Sequence, residues 1–391
     1  MLLTFKYRLW TNRNQERELG IMLETHRRLY NACLEQRKVA YESEQRNVRY
    51  TEQSAWFKQQ RADNPYFARI NFSSAQATLR RLDKAFQAFF RRVKSGEKPG
   101  YPRFKGQDRF SSIEYPSHGD GIRFFGNRLR LQHVGTVRVN QHRPLTENAQ
   151  IRTITVTTDA EKWYVEVCCL LPDVAVERSD RPAVGLDVGI ESFLTTSDGE
   201  FLPNPGYLKT ELPELRRAQR SLCREKKGGA NRRKTKKQVS RLHARVRNKR
   251  NDHRHKTALS FIRRFGFIAV ESLNIQGMVR NRRLSRAISD VAWGGFVAAL
   301  RHKAESAGVE VVEVNPAGTS QNCSGCGQIV PKKLSERKHL CPHCGLFLHR
   351  DVNAARNILA RAFTASGSGA WALTEPSGSV TQEAVGLLLT E

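Results

Sequence analysis

Two Cys-x-x-Cys pairs, Cys323/Cys326 and Cys341/Cys344, are separated by 14 residues, and a glycine follows each pair (Gly327, Gly345). No other feature restricts the fold as tightly. Thiolates at that spacing make two tight knuckles around one tetrahedral ion, which predicts a four-cysteine zinc ribbon over residues 316–347. A shell of four sulfurs leaves no open coordination position, so the Zn2+ is expected to be structural, with His339 and His343 outside the shell. Eight cysteines in 391 residues are too sparse for a disulfide scaffold. The other four, Cys33, Cys168, Cys169 and Cys223, read as packing thiols.

The formal net charge of +28 exceeds what solubility requires and matches a polyanion such as nucleic acid. It is concentrated, since residues 209–264 hold 21 Lys and Arg against four acids. Leu208, Leu212, Leu215 and Leu222 before Gly228-Gly229, and Val239, Leu242 and Val246 after it, predict two helices joined at the glycines. So many like charges repel unless an anion is present, which favours a phosphate-tracking surface over a merely solvated hairpin. Its candidate contacts are Arg216, Arg220, Lys226, Lys227, Arg232, Arg233, Lys236 and Lys237. A membrane partner is disfavoured, because no apolar run approaches the roughly 18 residues of a spanning helix. Lys6 and Arg8 interrupt the N-terminus before a signal-peptide core can form, so the expected location is cytoplasmic.

Upstream, Leu3, Phe5, Tyr7 and Leu9 alternate with polar neighbours, the pattern of a half-buried strand. Between residues 15 and 42 the apolar spacing becomes helical, through Leu19, Met22, Leu29 and Cys33. A second helix is clearer: Ala75, Leu79, Leu82, Phe86, Phe89 and Val93 recur at intervals of three and four, with Arg80, Arg81, Arg91 and Arg92 on other faces. Gly96, Pro99, Gly100 and Pro102 break this pattern. Short strands follow, 122–124 with 129–131 around Gly126-Asn127, and 154–156 with 163–167. Residues 1–10 and 96–180 are therefore expected to form a small β-barrel, with a helical module over 11–95 inserted after its first strand.

Three acids stand among apolar residues rather than in the sea of Lys and Arg. Asp187 lies inside the strand-like run 184–190, Glu271 closes the apolar run 267–270, and Asp351 opens a helix over 352–363. On that helix Ala355, Ile358 and Ala362 share the face of Asp351. A buried carboxylate needs a partner. Convergence of the three would hold Mg2+ or Mn2+, with two Mg2+ ions expected, whose oxygen-seeking chemistry suits phosphate esters. The alternative is that each acid is separately capped or paired. Asp290, next to Ser289, reads as a cap for the helix containing Trp293, Phe296 and Leu300, and Asp198 reads as a turn residue. The acids delimit an α/β core over 181–315 and 348–365. Residues 366–391 carry no core pattern and are expected to be disordered.

With these pieces in place, the chain resembles the TnpB (OrfB) family of transposon-encoded RNA-guided DNA nucleases, compact relatives of type V CRISPR effectors. The likeness spans residues 1–363. It rests on Gly100-Tyr101-Pro102-Arg103-Phe104-Lys105, Gly185-Leu186-Asp187-Val188-Gly189, Val270-Glu271-Ser272-Leu273 and Ser289-Asp290-Val291-Ala292-Trp293-Gly294. The ribbon and Asp351-Val352-Asn353-Ala354-Ala355-Arg356-Asn357 complete it. The resemblance implies a wedge β-barrel with an inserted helical recognition domain, and an RNase H-like (RuvC) nuclease core with an inserted zinc ribbon. It also implies a guide RNA from the transposon end, and double- and single-stranded target DNA beside a short transposon-adjacent motif. Gln76 and residues 115–118 are the candidates for reading that motif. Three other readings remain open: a nuclease-silent RNA-guided repressor, a strand-transferring transposase, and a basic zinc-ribbon RNA-binding protein. The order Asp, Glu, Asp disfavours the transposase, which usually presents Asp, Asp, Glu.

Overall fold

The structure is a computed structural model that describes residues 2–172, 179–333 and 335–366. The chain divides after Val174 into two compact units. The first contains β1 (Leu2–Trp10), α1 (Arg13–Glu44), α2 (Tyr50–Asp63), α3 (Pro65–Ala68) and α4 (Phe72–Lys94). Six strands follow: β2 (Ser112–Tyr115), β3 (Ile122–Phe125), β4 (Arg128–Leu131), β5 (Gly135–Asn140), β6 (Gln150–Asp159) and β7 (Lys162–Leu170).

The seven strands form one antiparallel sheet in the order β2-β6-β7-β1-β5-β4-β3, so β1 is central although its partners come after the helices. Neighbouring strands lie about 4.8 Å apart, which would hold β1 and β3 about 14 Å from each other in a flat sheet. The rings of Tyr7 on β1 and Phe124 on β3 nevertheless stack at 5.9 Å. The sheet therefore curls on itself, and its inward residues close on a single core that includes Phe5, Leu129, Val156 and Val165. Among the described residues the end strands β2 and β3 share no ladder, so the wall closes by side-chain packing.

Helix α1 begins at a capping box in which Asn12 and Gln15 satisfy each other's backbone N–H groups. It packs with α2 and α4 around Leu29, Phe57, Leu79 and Phe86. Val93, which the apolar spacing puts on the buried stripe, is 50% exposed. It lies on the last turn of α4, beyond the buried residues of that helix, which end at Phe86.

The second unit runs through β8 (Ala183–Val188), β9 (Ser192–Thr196), β10 (Phe201–Pro203), α5 (Tyr207–Arg224), α6 (Ala230–Arg264) and β11 (Phe267–Glu271). It continues with α7 (Ile275–Val279), α8 (Ser285–Val291), α9 (Trp293–Glu305) and β12 (Glu310–Val314), then β13 (Lys338–Leu340), β14 (Phe347–His349) and α10 (Arg350–Ser366). Its main sheet has the order β10-β9-β8-β11-β12. β8, β9 and β10 form an antiparallel meander, whereas β8, β11 and β12 are parallel, so the sheet is mixed. Parallel neighbours need long crossovers; α5 and α6 supply one, and α7 to α9 the other.

Helices cover both faces. Phe261 and Ile262 of α6, with Trp293 and Phe296 of α9, pack on Val184, Leu186, Ile268 and Val270. Ile358, Leu359 and Ala362 of α10 pack on Phe267, Ala269 and Val314 from the other side. Burial on both faces explains why β11 reads as an unbroken apolar run. Where α10 crosses β8 the strand residue is Gly185. A Cβ there would overlap the Ala355 carbonyl oxygen and lie 2.9 Å from Leu359 Cβ.

Asp290 corrects one expectation. It sits inside α8 and not ahead of α9, and it caps a different helix: its carboxylate accepts the Leu208 N–H at 3.1 Å near the start of α5. Arg250 of α6 pairs with it at 2.6 Å. Its partners lie 82 and 40 residues away, which local spacing cannot reveal. The described part of α10 extends to Ser366, and the rest of the tail expected to be disordered lies outside the described residues. Among the described residues no helix is long and apolar enough to cross a membrane.

Gly185→Ala is expected to force α10 off β8. Overpacking of this kind costs about 1–3 kcal/mol, so the variant should melt below the parent chain in a thermal denaturation scan; an unchanged Tm would show that α10 has room to shift.

Candidate active site

In the ribbon, Cys323 and Cys344 Sγ lie 3.6 Å apart, as do Cys326 and Cys341. All four sulfurs fall within 4.8 Å of one another. Zn–S bonds of about 2.3 Å in a tetrahedron place sulfurs about 3.8 Å apart, so the four thiols fit Zn2+. Two matching turns build the shell. Gly327 N–H donates to Cys323 O at 2.8 Å, and Gly345 N–H to Cys341 O at 3.0 Å. Both glycines adopt a left-handed φ, 77° and 74°, which a side chain would strain. Neither His339 nor His343 belongs to the group; His339 is buried with Nδ1 against Lys332 Nζ.

The three singled-out acids come together by strand alternation. Residues two apart on a strand share a face. Phe267 and Ala269 of β11 face α10, so Glu271 does too; Gly185 touches α10, so Asp187 shares that side. Val270 is in register with Leu186 on the adjacent parallel strand, which makes Asp187 and Glu271 neighbours. Asp351 lies in the first turn of α10, the helix laid over both strands.

The electrostatics follow from this proximity. Burial, then the charges of Glu271 and Asp351, push the Asp187 carboxyl well above the usual carboxylate range, against smaller opposing effects of Arg350 and the Val188 N–H. Burial also raises Glu271, opposed by a 2.6 Å hydrogen bond donated by Thr319 and by the Arg361 charge. Carboxylates that repel this strongly favour a cation between them. Their oxygens are more widely spread than the ribbon sulfurs, since among the described residues only the four thiols gather within 4.8 Å. A donor set made only of carboxylate oxygens suits a hard divalent cation such as Mg2+.

Several site groups escape sequence reasoning. Thr319 orients Glu271 from the strand-to-ribbon connection. Arg337, in the ribbon, pairs with Glu191 at 2.6 Å and lies 3.9 Å from Asp351. His349 Nδ1 is 3.8 Å from the Asp351 carboxylate and accepts the Asp351 N–H at 3.2 Å. Asn353 and Asn357, one turn apart, stitch the ribbon to α10. Asn353 accepts Ser324 N–H at 2.9 Å and donates to Asn322 O at 2.7 Å, while Asn357 donates to Asn322 O and Thr319 O at 2.7 and 2.8 Å. A spacing of four polar residues on an otherwise apolar helix face is the signal that marks them.

The basic candidates lie on the hairpin of α5 and α6, between Asp187 and Glu271 in the chain. Arg216 and Arg220 line an open groove along α5 with Gln219 and Cys223. Lys226 and Lys227 stand exposed at the turn, and Arg233, Lys236 and Lys237 are exposed along the start of α6. Arg232 turns inward and donates to the carbonyls of Leu222 and Glu225, closing the hairpin. In the first unit Gln76 is buried, accepting the Tyr50 hydroxyl at 2.7 Å. Its Nε2 and the Tyr115 hydroxyl have no hydrogen-bond partner among the described residues.

Comparison with known proteins adds the following. Residues 166–282 match the OrfB_IS605 family, described as "Probable transposase". Residues 293–358 match the "Cas12f1-like, TNB domain" family, and residues 1–46 a family described as "Helix-turn-helix domain"; here that last segment holds one strand and one long helix. A Streptomyces pristinaespiralis protein named "Putative RNA-guided DNA endonuclease" is 34% identical over 93% of this chain and 90% of its own length. The Escherichia coli K12 "Putative RNA-guided DNA endonuclease InsQ" is 28% identical over 92% of both. Cas12f1 of Sulfoacidibacillus thermotolerans, a "CRISPR-associated endodeoxyribonuclease", is 23% identical over 74% of this chain and 77% of its own.

Two outcomes are expected. The purified chain should carry stoichiometric zinc by elemental analysis, and Cys341→Ser should lose it. For Asp187 the sign is set by its raised folded-state value: ionising it in the fold is costly, and the cost is absent below the unfolded carboxyl's range and grows as pH rises through the raised one. Asp187→Asn should therefore melt higher than the parent at neutral pH in the absence of divalent ions, and the gap should shrink on acidification.

Proposed function

Because the chain belongs to the TnpB (OrfB) family, we propose that it is an RNA-guided, Mg2+-dependent DNA endonuclease whose nuclease centre is Asp187, Glu271 and Asp351. The observation that carries this reading is the meeting of three acids, 84 and 80 residues apart in sequence, on the one sheet face that α10 covers. Mixed strand order with acids at the ends of adjacent parallel strands supports an RNase H-like (RuvC) core for the second unit. The β1 to β7 sheet is assigned as the wedge, and α1 to α4 as the recognition domain.

Asp187, Glu271 and Asp351 would hold Mg2+, which would supply activation of a water and stabilisation of the leaving 3′ oxygen in an in-line displacement. The remaining tasks fall to the chain. Thr319 holds Glu271 in one orientation. Arg337, half-exposed beside Asp351, is placed to grip a non-bridging oxygen of the scissile phosphate through its forked donors. The Asn353 and Asn357 stitches fix the ribbon relative to Asp351, so substrate held by the ribbon keeps a set position. The exposed cations of the α5 and α6 hairpin suit backbone tracking of an RNA–DNA duplex in which base pairing supplies the sequence information. Gln76 and residues 115–118 remain the candidates for reading a transposon-adjacent motif; the unpartnered Gln76 Nε2 and Tyr115 hydroxyl are buried, so they reach base edges only if the groups covering them move.

Purified protein with its RNA should cut matched double-stranded DNA when Mg2+ is present. Asp187→Ala, Glu271→Ala and Asp351→Ala should each reduce cutting to background while DNA binding in a mobility-shift assay persists, and a variant that still cuts would remove its residue from the centre. Arg337→Ala should slow cutting by about 100-fold without loss of binding.

A further inference from the structure

The outer face of the β1 to β7 sheet carries a row of side chains that the nuclease reading leaves unused. The register sets Phe125 opposite Arg128, Arg128 opposite Arg138, and Arg138 opposite Trp10, across β3, β4, β5 and β1. One step along the ladder, Arg123 faces Arg130. The alternate residues Phe124, Leu129, Val137 and Leu9 are buried in the core, so the row points to solvent. Phe125 is 45% exposed and Trp10 48%, and all four arginines are exposed.

Like charges directly opposite each other weaken a strand pair, and here two such pairs stand side by side. Nothing nearby relieves them. β3, β4 and β5 contain no acidic residue, and among the described residues no ion pair joins any of the four arginines to a carboxylate. Folding alone gives no reason for this arrangement, whereas an anion running across the strands would remove the penalty. At the two ends of the row stand exposed aromatic rings. The Arg8 guanidinium lies 4.0 Å from the Trp10 ring centroid, which steadies the indole from one side and leaves it half-open.

We propose that this face binds an unpaired stretch of nucleic acid, its phosphates on Arg128 and Arg138 and two of its bases stacked on Trp10 and Phe125. Stacking on protein rings requires bases whose π-faces are free, which a duplex does not offer. A second copy of this chain is a poor occupant, because two bodies of charge +28 repel across a patch that is itself cationic. The inference rests on the nucleic-acid reading above and not on the cutting step.

The test is photocrosslinking of the full-length chain to a 4-thiouridine RNA strand and, separately, to a 4-thiothymidine DNA strand, with crosslinked peptides identified by mass spectrometry. The peptides holding Trp10 and Phe125 should be labelled by at least one probe, which also tells RNA from DNA. The Trp10→Ala and Phe125→Ala changes should each weaken that strand's affinity by about 5- to 150-fold and leave a duplex of the same sequence unaffected. An unchanged melting profile would show that the variants fold. Labelling confined to other peptides, equal losses for strand and duplex, or a change in oligomeric mass in place of a change in affinity would overturn the proposal. Failure to cut DNA with this labelling intact would count against the nuclease centre alone.

Discussion

Helix α10 can lie on β8 only because residue 185 has no side chain, and much of the second unit hangs on that contact. The Ala355 carbonyl rests where a Cβ would stand. This close approach seats Ile358, Leu359 and Ala362 on β11 and β12. One turn before Ala355, it brings Asp351 over the ends of the strands that carry Asp187 and Glu271. The ribbon follows the helix, because Asn353 and Asn357 hold its base through backbone groups of residues 319–324. A single missing methyl group thus links sheet packing, the carboxylate cluster and the four-thiol shell.

The same packing makes the carboxylate cluster costly. Burial raises both Asp187 and Glu271, and the neighbouring acid charges raise Asp187 further; the second unit tolerates this where the parallel strands end. Stability elsewhere offsets the strain: β11 is buried on both faces, and the Asp290 carboxylate joins α5, α6 and α8 through Leu208 and Arg250. A half-buried ion pair of this kind gains less from attraction than it would lose if one partner were removed, so it acts chiefly to fix which helix faces which.

Legibility in the sequence divided along physical lines. The four cysteines were readable because knuckle geometry is local. So were β11, whose apolar run needs no context, and the acids, whose apolar flanks set them apart. That β1 is a strand was readable from its alternation, whereas its central place in the sheet was not. What escaped were side-chain contacts with partners outside the local pattern: Asp290 on the Leu208 backbone, Thr319 on the Glu271 carboxylate, Arg232 on the carbonyls of Leu222 and Glu225. Such bonds leave no periodicity, and an arginine in a chain with 66 Lys and Arg does not announce that it points inward. The strand order of the first sheet was likewise hidden, since a barrel can be expected from short strands and turns without showing which strand pairs with which.

Helix α6 runs for 35 residues without a proline or glycine inside it, a rod of about 52 Å. Its final turns are clamped against the sheet by Ala258, Phe261 and Ile262, while most of its cationic length extends toward the glycine turn. Two residues after α6 ends at Arg264 the chain enters β11, whose last residue is Glu271, so the cationic hairpin and this carboxylate lie on one continuous stretch of chain.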